Sequence, residues 1–415
     1  RSNNLAQSQI TRISMAKKWS WRRTVGCLGV CLAVVAGVVA WFVVAVAKPR
    51  LANQREIEGL AAPAGLDWND PSHVDSMLTV LADLLVARPA NAGISIGVTR
   101  NGRRHVVFRG VTSKDDHGTD VDDSTLFELG SVTKTFTGVA LAQAVVDRQM
   151  SLDQPIAELL PASQQLPDAV RSITIGALAT HTAGLSSNPP SVSFLASLFK
   201  KHPFGGVTDR DAFESLSQIQ FEESVAREYN YSNFGFMLLG RLIEEGTGEG
   251  YARLIEDRVA GSLGMRHTWV APPEAERARL ATGHRVGHPV EHWYEFELPG
   301  ASGVVSTVSD MLTYLEAHLH PEATPLAAAI RLAMEPRVRA SDDVEVGLGW
   351  HIYTVPDVPQ VVYHNGATMG FRSYVGMAPE LDLGIVVLGN SRDPTINAIG
   401  RLIMRTLTGN EERGG

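Results

Sequence analysis

Strand-forming runs lie at the two ends of the body of this chain, with helix-forming sequence between them. That distribution limits the folds open to it. Residues 94–99 and 105–109 flank Asn101-Gly102. An Asn-Gly pair between alternating apolar residues is a strong hairpin signal, because both residues tolerate positive φ. Four more runs come late, at 347–353, 361–364, 371–378 and 383–388, with Pro379-Glu380-Leu381-Asp382 as a turn between the last two. Between the two groups, 131–149 carries Phe136, Val139, Ala140, Val145 and Val146 near helical spacing, and 175–179, 213–217, 234–245 and 251–259 also read as helix. Further helices are expected from about residue 71 and over 397–407. The predicted fold class is α/β (α+β): one antiparallel sheet assembled from both ends of the body, flanked by helices, with an all-helical subdomain at about 140–300.

The remaining sequence precedes this body. Residues 25–47 hold no charged side chain. At about 1.5 Å per residue such a helix reaches roughly 34 Å, enough for a bilayer core of about 30 Å. Lys17, Lys18, Arg22 and Arg23 precede it, and Lys48 and Arg50 follow. The heavier positive flank predicts the N-terminal side inside and the body outside. Two readings stand: a retained anchor through residues 25–47, or a secretory peptide cleaved after Ala47, where Ala45-Val46-Ala47 fits the small-x-small pattern. Met15 opens a conventional targeting segment, so residues 1–14 are expected to add nothing to the fold, and 48–69 reads as a linker. The body itself is expected over 70–410.

Charge divides the same way. The first 50 residues hold eight of the 37 Lys/Arg and none of the 45 Asp/Glu, which leaves the rest at −16. A net-acidic body argues against nucleic acid as a partner. Both cysteines, Cys27 and Cys31, lie in the apolar run, so the body has no disulfide framework, cysteine nucleophile or thiolate zinc site.

Three short motifs carry residues capable of chemistry. In Gly130-Ser131-Val132-Thr133-Lys134 the serine stands where a helix begins, and the lysine falls one turn later on the same face. Such a pair is either a capping serine with a solvated lysine, or a nucleophile with a base of lowered pKa. Tyr231-Ser232-Asn233 precedes an apolar helix. It is either a capped helix start or a phenol and an amide that share protons with a lysine and a substrate. His364-Asn365-Gly366-Ala367 ends a strand-like run, and its glycine permits close approach of another backbone.

In this order and spacing the three motifs resemble those of the serine β-lactamase and penicillin-binding DD-peptidase superfamily, most closely its class C-like branch. That branch also holds D-amino-acid peptidases and β-lactamase-like carboxylesterases. The likeness runs over about 75–405 and includes Phe127-Glu128-Leu129-Gly130, Leu178-Ala179-Thr180-His181-Thr182-Ala183-Gly184-Leu185, Gly303-Val304-Val305-Ser306-Thr307 and Gly347-Leu348-Gly349-Trp350. The resemblance implies a β-lactamase/transpeptidase-like fold and two-step acyl transfer without metal or organic cofactor. It implies Ser131 as the acylated nucleophile and Lys134 with Tyr231 as the proton-shuttling pair. Asn233 would bind the substrate amide and orient Lys134. The N–H groups of Ser131 and Ala367 would form the oxyanion hole, and His364 and Gly366 would line the substrate strand. The implied partners are a cell-wall peptide, a β-lactam or an ester. The rival functions are a carboxylesterase and a penicillin-binding sensor that deacylates slowly.

The chain departs from the class C pattern in the third motif, where Lys-Thr-Gly is usual and His364-Asn365-Gly366 stands here. With a reference pKa near 6.5, His364 is expected to favour carboxylate-bearing substrates at mildly acid pH. Three other features are expected to be structural. His284, His288 and His292 recur every fourth residue, but Gly287 and Pro289 interrupt any helix, so a loop near the site entrance is expected and no metal site. His181 reads as a loop residue, and Gly246, Gly248 and Gly250 as a helix end.

Overall fold

The computed structural model describes residues 70–408, except 116, 161–165, 191, 193–203, 205, 220–227 and 294–295. The chain divides into two compact units, Arg1–Glu56 and Ile57–Gly415, and everything described belongs to the second. The targeting segment, the apolar run 25–47 and the linker 48–69 lie outside the described residues.

Helix α1 (Pro71–Val86) opens the described chain; Asp70 caps it by accepting from the Ser72 N–H at 2.9 Å, with proline in its first turn. Strands β1 (Gly93–Arg100) and β2 (Arg103–Gly110) form the expected hairpin, with Asn101 and Gly102 at φ 49° and 73°. Short β3 (Phe127–Glu128) leads to a 3-10 turn, Gly130–Val132, and then to α2 (Thr133–Val146). Next come α3 (Ile175–Ala179), α4 (Asp209–Ser217) and α5 (Asn233–Thr247). The expected helix near 251–259 starts as Tyr251–Arg253 and continues as a π-helix, Leu254–Ala260.

A hairpin of β4 (Gly283–Arg285) and β5 (His288–Val290) interrupts the region expected to be all helical. Its turn is Val286-Gly287, both at positive φ, a local geometry that helical periodicity does not register. β6 (Val305–Ser306) pairs with β3, and α6 (Val308–Leu319) and α7 (Ala327–Met334) follow. The chain then builds β7 (Val338–Arg339), β8 (Val344–Val346), β9 (His351–Tyr353), β10 (Val361–Ala367), β11 (Arg372–Ala378) and β12 (Leu383–Gly389), and ends in α8 (Thr395–Thr408).

The main sheet has the order β2-β1-β12-β11-β10-β9-β8-β7 and is antiparallel throughout. The first and last strands of the sequence lie side by side within it, second and third in that order, where Ile96 pairs with Val387. Period-2 alternation assigns the two faces. Ile385 and Val387 pack with Ile94, Ile96, Leu78, Leu85, Ile399 and Ile403 beneath α1 and α8. Val386 and Leu388 turn the other way, into the large core shared with Leu312, Leu315, Phe136 and Trp350. One expected strand is corrected. Gly347-Leu348-Gly349-Trp350 lies outside the sheet, with Gly349 at φ 79° and the Leu348 N–H donating to Ala333 O, so only His351–Tyr353 of that run pairs. Helix α2 is buried nearly all round, as its small and apolar sequence permits, and it carries the start of the site into the core.

Candidate active site

Ser131 lies in the 3-10 turn before α2 and caps neither helix by its side chain. Lys134 is fully buried, so the capping-serine reading with a solvated lysine is excluded. Its Nζ donates to Ser131 Oγ at 3.1 Å, to Asn233 Oδ1 at 2.8 Å and to the Ala301 carbonyl at 2.9 Å. Those three acceptors match the three donors of an ammonium. Burial nevertheless pushes the Lys134 pKa well below the ordinary lysine value. The neutral amine has a lone pair 3.1 Å from the serine oxygen, close enough to take its proton.

The second motif is held by backbone contacts on both sides. His181, at φ 60°, accepts the Ser232 N–H on Nδ1 at 3.1 Å, and its carbonyl accepts the Asn230 N–H at 2.8 Å. Ser232 caps α5 by accepting from the Gly235 N–H at 2.9 Å, while its own hydroxyl donates to Ser186 O. The Asn233 N–H donates to Ser187 O, and its side-chain amide reaches Asn188 Oδ1 at 3.3 Å. Tyr231 thereby stands with its ring centroid 5.0 Å from Lys134 Nζ. Burial raises the Tyr231 pKa, partly offset by a hydrogen bond with Ser131.

The third motif approaches along β10. Gly130, at φ 54°, is so close to this strand that a Cβ would lie 2.7 Å from Ala367 N, and a Cβ on Gly366 would lie 2.0 Å from Leu129 O. Two glycines therefore let the Ser131 turn and the end of β10 touch, and the Ser373 hydroxyl donates to Leu129 O across the same junction. Alternation along β10 exposes Asn365 and buries His364 and Gly366.

Burial corrects the expected acid preference. The His364 pKa lies well below that of free histidine, through burial and through His351, Lys134 and His181, which oppose a further positive charge. Burial and these neighbours thus work against a cation at His364. Sequence reasoning missed its neighbour His351, whose ring lies 5.0 Å from His364 and whose Nε2 is 3.0 Å from Tyr229 Oη. Both had a signal: Tyr229 stands in the second-motif string, and His351 follows Gly347-Leu348-Gly349-Trp350.

The other sequence features serve the frame. His284 is buried on β4 with Nδ1 3.1 Å from Asn390 O, His288 is exposed on β5, and His292 pairs with Glu128. The three sit in and beside a hairpin rather than the expected loop. Glu128 is buried and also accepts the Trp293 N–H at 2.7 Å, which ties the segment before Ala301 to β3. Gly248 is the left-handed end of α5.

A serine in the turn before a buried helix, opposed by the buried lysine of that helix and flanked by the end of β10, defines a serine hydrolase of the acyl-transfer class. The chain belongs to the Beta-lactamase family, whose model matches residues 81–405. It is 28% identical to a "Beta-lactamase" of Pseudomonas fluorescens over 353 residues, covering 74% of this chain and 91% of that protein. It is 27% identical to "Penicillin-binding protein 4" of Amycolatopsis lactamdurans, covering 72% of this chain and 80% of that protein. Among solved structures, a class C beta lactamase from Rhodobacter sphaeroides superposes with a TM-score of 0.68 at 25% identity, covering 79% of this chain and 99% of that one. A beta-lactamase/D-alanine carboxypeptidase from Pseudomonas syringae superposes with a TM-score of 0.71 at 24% identity, covering 81% and 99%, which bears on the fold alone.

Proposed function

We propose that this hydrolase cleaves amide bonds of D-alanyl or other D-amino-acid peptides, and opens β-lactams, through an acyl-Ser131 ester. Lys134 takes the Ser131 hydroxyl proton as the oxygen attacks the carbonyl carbon. With Tyr231 it returns a proton to the departing amine. Asn233 holds Lys134 and the substrate amide, and the N–H groups of Ser131 and Ala367 receive the developing oxyanion. Water then attacks the ester by the reverse proton path, which releases the acid and regenerates Ser131. His364 and Gly366 form the wall along which the substrate lies. The observation that carries this reading is the contact of buried Lys134 with both Ser131 Oγ and Asn233 Oδ1. Relatives named for β-lactamase and penicillin-binding activity support the substrate class.

An ester substrate is the second reading. A neutral third-motif side chain favours it, because no cation at His364 grips a substrate carboxylate. Nitrocefin, a D-Ala-D-Ala peptide and p-nitrophenyl butyrate, each given to the purified full chain, separate the two. Turnover of the peptide or nitrocefin is the expected result, and turnover of the ester alone sinks the peptidase reading.

The proposal also places the catalytic unit outside the cytoplasm, anchored by residues 25–47 or released after Ala47. Among the described residues no helix is long and apolar enough to cross a membrane. Protease treatment of spheroplasts of expressing cells tests the placement: protection of the body until the inner membrane is broken would defeat it.

A further inference from the structure

His364 has one nitrogen accounted for. Its Nδ1 lies 2.8 Å from Asn365 O, and a carbonyl only accepts, so Nδ1 carries the hydrogen. In the neutral ring Nε2 then carries the lone pair, and Nε2 is buried with no hydrogen-bond partner. The adjacent ring shows the complement. His351 Nε2 lies 3.0 Å from Tyr229 Oη, while its Nδ1 is buried without a partner. Taking the Tyr229 hydroxyl as the donor to Nε2 puts the hydrogen of neutral His351 on Nδ1. One bare acceptor and one unclaimed donor thus belong to rings whose centroids are 5.0 Å apart. A contact between them, direct or through one water, would satisfy both.

We propose that His351 is a positioning residue, backed by Tyr229, which holds His364 in the tautomer with hydrogen on Nδ1 and the lone pair on Nε2. The groups facing His364 are Lys134 from α2, His181 from the turn after α3, Tyr231 from the segment before α5, and His351 from β9, which Tyr229 backs. Lys134, His181 and His351 all oppose a proton on the ring, as its burial does. The Tyr231 ring lies 6.3 Å from His364 and stacks on His351 at 6.4 Å. A lysine at this position offers only donors, whereas His364 in this tautomer offers an acceptor. Claimed by His351, that acceptor leaves no basic nitrogen free at His364, so the proton of Ser131 goes to Lys134. The catalytic arm of this inference rests on the proposed function; the tautomer does not.

Long-range proton–nitrogen spectra of the imidazoles in the full chain, labelled at histidine, test it. His364→Gln assigns the His364 signals. Unchanged tautomer and no titration between about pH 5 and 8 are expected for the wild type. In His351→Phe the His364 ring should titrate within that range or populate both tautomers, and kcat for nitrocefin should fall about tenfold with little change in KM. His351→Gln retains a donor and should restore the tautomer and most of kcat. A hydrogen on His364 Nε2 in the wild type overturns the proposal, as does a His351→Phe spectrum and pH profile identical to wild type. If His351→Phe does not fold, the wild-type and His351→Gln spectra decide. The expected spectra without turnover of any substrate would leave the positioning intact and defeat only the proposed function.

Discussion

Lys134 meets Ser131 from inside the protein: its Nζ, buried at the start of α2, lies 3.1 Å from the serine Oγ. A solvated lysine would hold its proton at neutral pH, whereas a desolvated one releases it where a serine can use it.

Loss of either partner should stop acylation by different routes. Ser131→Ala should abolish covalent labelling by a fluorescent penicillin, and an adduct surviving in that variant would disprove the nucleophile. Lys134→Met fills the same buried space without a base. It should fold and lose about 10²–10⁴-fold in the acylation rate measured by stopped flow.

The pH dependence of acylation follows from the lowered Lys134 pKa. The active form is the free amine, so kcat/KM should rise with pH along one limb centred below the ordinary value of about 10.4. Because burial and its cationic neighbours oppose a proton on His364, a carboxylate-bearing substrate should show no added gain between about pH 7 and 5. A rise in that window would restore the cationic reading of His364.

Stability should fall in acid. Burial pushes His318 and His351 down to about 4, and His181 and His364 well below their ordinary value. The unfolded chain binds these protons near pH 6.5 while the folded chain does not. Stability is therefore full above about pH 6.5 and is lost as pH falls toward about 4, further for the two deepest rings. Four such groups give at most about 5 kcal/mol per pH unit. Urea unfolding at stepped pH measures the slope, and His318→Gln should lower the histidine share of it by about a quarter.

Gly130→Ala should damage the site more than the fold. The new Cβ would sit 2.7 Å from Ala367 N, on a residue at φ 54°. Strain of about 1–3 kcal/mol is expected, with the Ser131 turn pushed from β10 and acylation down by roughly a hundredfold. A variant with wild-type acylation would show that the junction tolerates separation.

Phe136→Ala tests the core beneath the site. Phe136 is fully buried and stacks on Tyr314 with centroids 4.2 Å apart. A loss of about 3–5 kcal/mol is expected by chemical denaturation.

Local patterns made much of this legible. Asn101-Gly102 marked its hairpin because only certain residues accept positive φ, and period-2 runs marked β10 to β12. Ser131, Lys134, Tyr231 and Asn233 were found as motifs, and the structure brings Lys134 to Ser131 and Asn233, with Tyr231 beside them. The β4–β5 hairpin and the excursion at Gly347-Leu348-Gly349-Trp350 were not legible, since glycine-rich turns redirect the chain without changing its apolar count.

By itself the sequence determined most of the strands, helices and turns, and which side chains had chemistry to offer. Those properties depend on neighbours a few positions away. Tertiary structure decided the charge and the partners of those side chains. Lys134 and His364 are ordinary cations or near-cations as free residues, and the pKa of each is pushed down because packing from distant parts of the chain removes water from around them. The His351–Tyr229 contact and the bare Nε2 of His364 likewise arise only where β9, β10 and the segment before α5 converge.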